Sequence, residues 1–152
     1  MSCHQPVYQW TSIVTTHFPQ LSKPQATVLA LWSLGMVVAR SCALSAVSTL
    51  LAQWLDRKPN TVRQQLREFC YEAAAKRGEH RQEVVVETCF APLLQWVLSW
   101  WEGHQLALAL DATTLGQRFV VLALSVLYRG CAIPVAWTVL PAGKKHAWRR
   151  EW

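Results

Sequence analysis

No two of the five cysteines (Cys3, Cys42, Cys70, Cys89, Cys131) stand at C-x-x-C spacing, and no histidine lies at ligand spacing from another. That pattern excludes a zinc site and leaves free thiols in a reducing compartment as the expectation. Long hydrophobic runs are missing too. The stretches VLALWSLGMVVA and FVVLALSVLY both fall short of the roughly 20 residues that a spanning helix needs. The opening MSCHQPVYQW has no basic region followed by an apolar one, so no secretory signal is expected. Internal repeats and low-complexity segments are absent, and charged residues are sparse at 16%, which excludes wholesale disorder.

Apolar material is plentiful: 52% of the 152 residues are hydrophobic and nine are tryptophan, enough for a rich core or for apolar surface awaiting a partner. The net charge of +6 is concentrated in two places. Residues 56–81 carry seven basic and four acidic side chains, and residues 143–152 carry four basic and one acidic. A basic segment and a basic tail suit a polyanion, although the same charges also keep an apolar chain in solution.

Residues 1–103 read as helical. Leu44, Val47, Leu50, Leu51, Trp54 and Leu55 recur at the three-and-four spacing of one helix face. DRKPN interrupts them, since Pro59 cannot continue a helix interior. A second helix is expected from Thr61, with Thr61 and Gln64 as a capping box, Val62, Leu66, Phe69 and Ala73 as the buried stripe, and Gly78 as the stop. FAPLLQWVLSWWEG reads as a further helix carrying Trp96, Trp100 and Trp101, while the VVV within 81–87 is ambiguous between strand and coil. From 104 the texture changes. QLALALDA alternates as a strand with Asp111 at its tip, Thr113–Gln117 supplies a turn, RFVVLALSVLY is a second strand, YRGC a second turn and AIPVAWTVL a third strand. Short turns between consecutive strands imply an antiparallel meander.

Residues 44–77 have the form of a helix-turn-helix. Asn60, Arg63, Gln64, Arg67 and Glu68 share the outer face of the second helix, and Arg57 and Lys58 occupy the turn. Arginine, glutamine and asparagine read base edges or grip phosphates when the start of such a helix enters the major groove. A plain helical hairpin with a solvated face fits the same residues. Against DNA reading stand a turn without glycine and two acids, Glu68 and Glu72.

Asp111 followed by Thr-Thr-x-Gly is by itself a turn former; a metal ligand at a strand tip, backed by the small Ala107 and Ala109, is the alternative. The order L-x-L-x-L-D-A-T-x-L-G, a hairpin ending in Tyr-Arg-Gly, Ile-Pro-Val-Ala-Trp and then Lys-His-x-W resembles the opening of the catalytic domain of DDE transposases of bacterial insertion sequences. The resemblance covers 106–152. It implies an α+β chain: a helical DNA-binding region over 1–103, then the first three antiparallel strands of an incomplete ribonuclease H-like domain over 104–152. It further implies Asp111 as the first carboxylate of a triad holding Mg2+, Lys144 and Lys145 as DNA-contacting residues leading into the next helix, and double-stranded DNA at element ends as partner. Pairing with a full-length copy, or self-association, is implied as well, with no membrane and a cytoplasmic, nucleoid-associated location. After Asp111 the one acid is Glu151, which matches neither later acidic position of the family. On this resemblance the chain corresponds to the front part of a transposase and is expected to be inactive alone; the alternative is a non-catalytic DNA- or partner-binding regulator of transposition.

Overall fold

The computed structural model describes residues 4–77 and 82–142 and is α+β: five α-helices followed by a three-stranded antiparallel sheet. It divides into two compact units, Met1–Val86 and Glu87–Trp152. The boundary precedes the change of sequence texture at 103/104, because the fifth helix packs on the sheet.

In the first unit, α1 (His4–His17) lies along α2 (Lys23–Ala39), tied by a hydrogen bond from Trp10 Nε1 to Ser33 Oγ at 2.8 Å. The start of α2 is held by Gln25, whose Oε1 accepts from the Ser22 backbone N–H and hydroxyl, each at 2.9 Å. Arg40, left-handed at φ 49°, closes α2. The chain then turns by 105° into α3 (Leu44–Leu55), and α4 (Pro59–Phe69) completes the group. Leu31, Val47, Leu51, Ala52, Val62 and Leu66, drawn from α2, α3 and α4, form one buried cluster. Among the described residues no single helix is long and apolar enough to cross a membrane.

Close crossing of α2 over α3 depends on Gly35. A Cβ there would lie 2.8 Å from Val47 Cγ1 and 3.2 Å from Leu51 Cγ. Val47 is buried and, being β-branched on a helix, cannot turn aside at little cost. Gly35→Ala gains about 1 kcal/mol of helix propensity but meets an overpacking cost of roughly 1–3 kcal/mol. The expected net result is a lower urea midpoint, recovered in part by adding Val47→Ala. A raised midpoint for the single variant would show that the two helices separate freely.

Several expected boundaries shift. The second helix begins at Pro59 and not at Thr61: Pro59 is its first residue, where the missing N–H and fixed φ are assets. Thr61 therefore lies inside the first turn and forms no capping box with Gln64. The helix ends at Phe69, well before Gly78, which lies outside the described residues. Ala73 belongs instead to a short 3-10 turn, Ala73–Ala75. Val84–Val86 form no strand; the preceding residues 82 and 83 are strapped to the unit by Gln25 Nε2 to the Glu83 carbonyl (2.9 Å) and Lys76 Nζ to the Gln82 carbonyl (2.6 Å).

In the second unit α5 (Glu87–Leu98) stops before Trp100 and Trp101, which the sequence pattern would place on it. Its Phe90 meets Trp137 edge to face at 4.9 Å, against β3. Strands β1 (Leu108–Leu115), β2 (Phe119–Tyr128) and β3 (Cys131–Pro141) form the expected meander in the order β1-β2-β3. Arg129 and Gly130 both have positive φ, as a two-residue type I′ hairpin requires. Leu124 pairs with Ala136 and Ser125 with Pro134, so Val135 is an extra residue and Pro134 sits at a bulge of an outer strand, where proline is tolerated.

Candidate nucleic-acid interface

Three residues, Asp56 to Lys58, separate α3 from α4. Asp56 takes the left-handed conformation at φ 51°, and its N–H and that of Arg57 return to the Ala52 carbonyl. Aspartate is among the few residues that tolerate this geometry, so the absence of glycine from the turn is no obstacle. The Lys58 carbonyl accepts from the Thr61 and Val62 amides and starts α4.

Val62 and Leu66 bury one side of α4 in the core. Asn60, Arg63, Gln64 and Arg67 lie at i, i+3, i+4 and i+7, centred about half a turn away, and all four are exposed. Arg57 and Lys58 are exposed in the turn beside the helix start. The structure thus brings together the six helix-pair residues named from the sequence. Arrangement of this kind can lay a polar, cationic stripe along a groove and leave the core undisturbed.

The two acids separate. Glu72 is not on α4 at all, because the helix has ended and Glu72 precedes the 3-10 turn. Glu68 is half-buried at the edge of the stripe and accepts a hydrogen bond from Gln64 Nε2 at 2.9 Å. Sequence reasoning misses this pairing, although Gln64 and Glu68 stand four residues apart and that spacing is the signal that could have found it.

Asp111 is placed differently from expectation. It lies in the middle of β1, paired with Ala123, because β1 continues through Thr113 and Thr114 to Leu115 and the turn begins only at Gly116 (φ 61°). Its Oδ2 accepts from the Thr113 hydroxyl at 2.7 Å. Threonine favours strands, and two of them after Asp111 extend the ladder past the point where the sequence suggests a turn. Asp111 is exposed on β1 beside the small Ala123. Among the described residues no three His, Cys, Asp or Glu side chains converge, so the donor set around Asp111 does not fit a two-metal centre. Lys144, Lys145 and Glu151 lie outside the described residues.

Cys42, Cys70, Cys89 and Cys131 are free thiols. Burial pushes the Cys70 thiol up from its ordinary range, partly offset by the nearby Lys76 ammonium, which argues against a reactive thiolate. Comparison with known proteins yields no matching family model, curated protein or solved structure.

Proposed function

We propose that this chain is a DNA-binding protein of the transposase type, in which α3 and α4 act as a helix-turn-helix on double-stranded DNA. In this reading α4 enters the major groove, Arg57 and Lys58 hold the backbone, and Arg63 and Arg67 grip phosphates flanking the bases. The observation that carries it is the tight three-residue turn, which presents Asn60, Arg63, Gln64 and Arg67 on one exposed face opposite the buried Val62 and Leu66. The meander that follows supports the reading of an opening ribonuclease H-like domain, with Asp111 as its first carboxylate. Within this reading we assign the chain recognition of element-end DNA. A non-catalytic regulator of transposition is one role that fits this assignment.

The test is binding of the full chain to duplex DNA across a salt series. Every phosphate that a cationic side chain neutralises adds about 0.9 to the steepness of log K against log salt. Arg63→Ala combined with Arg67→Ala should therefore flatten the slope by roughly 2 and weaken binding to all sequences. Unchanged slope and affinity would remove α4 as the element that contacts DNA.

A further inference from the structure

Glu68 is the residue that fits the DNA-reading helix least well, and its contact with Gln64 gives it a purpose. A carboxylate only accepts hydrogen bonds. The 2.9 Å contact therefore requires Gln64 to turn its amide nitrogen towards Glu68, which fixes which end of the amide is which. One N–H is consumed there. The second N–H and the carbonyl Oε1 remain as an adjacent donor and acceptor on an exposed side chain.

An adjacent donor and acceptor match one base edge in the major groove. Adenine presents an acceptor, N7, beside a donor, N6–H2; guanine presents two acceptors there and leaves the Gln64 oxygen without a donor. We propose that Gln64, oriented by Glu68, reads adenine, and that the DNA sites this protein prefers carry an adenine where the α4 stripe meets the major groove. The inference rests on α4 being the helix that enters the groove. Arg63 and Arg67, on either side of Gln64 along the same face, supply affinity without base choice when they contact phosphate. Glu68 acts through Gln64 and is a positioning residue.

Selection of duplexes from a randomised library by the full chain tests this, followed by competition binding with the selected sequence. An adenine should be enriched at one position. Gln64→Ala should abolish that preference alone and weaken binding to the selected site by roughly 5- to 150-fold, with the preferences at other positions and the salt slope retained. Glu68→Ala should reduce discrimination at the same position, and Glu68→Gln, whose amide oxygen still accepts, should restore it. Gln64 is exposed, so an unchanged far-ultraviolet circular dichroism spectrum is expected for its variant. Enrichment of a site without an adenine, or an adenine preference that survives Gln64→Ala, overturns the assignment of Gln64 while leaving the DNA-binding reading in place. Absence of both enrichment and salt-sensitive binding in the parent chain overturns the DNA-binding reading, and this inference with it.

Discussion

Leu51→Ala is expected to lower the stability of the helical unit by roughly 2–5 kcal/mol, the range for truncating a leucine in a packed core. Leu51 is 0% exposed and sits where α2, α3 and α4 meet, among Leu31, Val47, Val62 and Leu66. Gly35 brings the α2 backbone close to it on one side. A helix crossing already at contact distance cannot collapse further into the space, so the cavity persists and the upper part of the range applies. Small domains are stable by only about 0.05–0.15 kcal/mol per residue, so this single truncation removes a large share. Each kcal/mol corresponds to about 4–8 °C in midpoint for a unit of this size, which thermal melting of the full chain followed by circular dichroism at 222 nm would report. The exposed polar stripe of α4 depends on the same packing, since α4 is held through Val62 and Leu66 in the core and Phe69 against Trp32, and under the proposed function DNA binding should fall in parallel with the folded fraction. A loss below about 1 kcal/mol, the level of an ordinary surface-to-mid-range substitution, would mean that the three helices do not share this core.

Val126→Asp should unfold the sheet unit, whereas Leu127→Asp, one residue on, should be tolerated. Val126 is 0% exposed and Leu127 is 43% exposed, because successive side chains of β2 point to opposite faces. Val126 pairs with Leu108 of β1 and Ile133 of β3. A carboxylate placed there loses its water and gains no cation, a penalty of several kcal/mol. At Leu127 the acid keeps its solvent and the cost is confined to strand propensity, about 1 kcal/mol or less. Protection of the β2 amides in hydrogen exchange distinguishes the two: it should vanish for Val126→Asp and persist for Leu127→Asp. Equal loss in both variants would move the register one residue away from the pairing of Val126 with Leu108 and Ile133.

The helical stripe of Leu44 to Leu55 and the alternation leading into Asp111 were both legible as periodicity; α3 forms where its pattern lies, whereas β1 begins at Leu108, inside the alternation, and runs past it to Leu115. The pairing of Tyr128 with Cys131 across Arg129 and Gly130 was legible as turn chemistry, since a glycine in a two-residue link has few other uses. Less visible was the start of α4. Proline breaks a helix interior but opens a helix well, and the two outcomes differ only in where the preceding carbonyl points, which a string of letters does not contain. The extent of β1 was hidden for a related reason. Asp-Thr-Thr suits a turn or a strand equally until a neighbouring strand offers hydrogen bonds, and β2 offers them as far as Phe119 opposite Leu115.

By itself the sequence determined the helical and strand periods, the order of elements, the meander and the clustering of basic residues around α4, because these depend on neighbours a few residues apart. Tertiary structure alone decided that Asp56 turns left-handed, that α5 belongs with the sheet, that Glu72 lies beyond the end of α4, and that Asp111 sits within a strand without converging acids among the described residues. Those outcomes depend on which distant surfaces meet and which hydrogen-bonding groups they bring, and no local spacing carries that information.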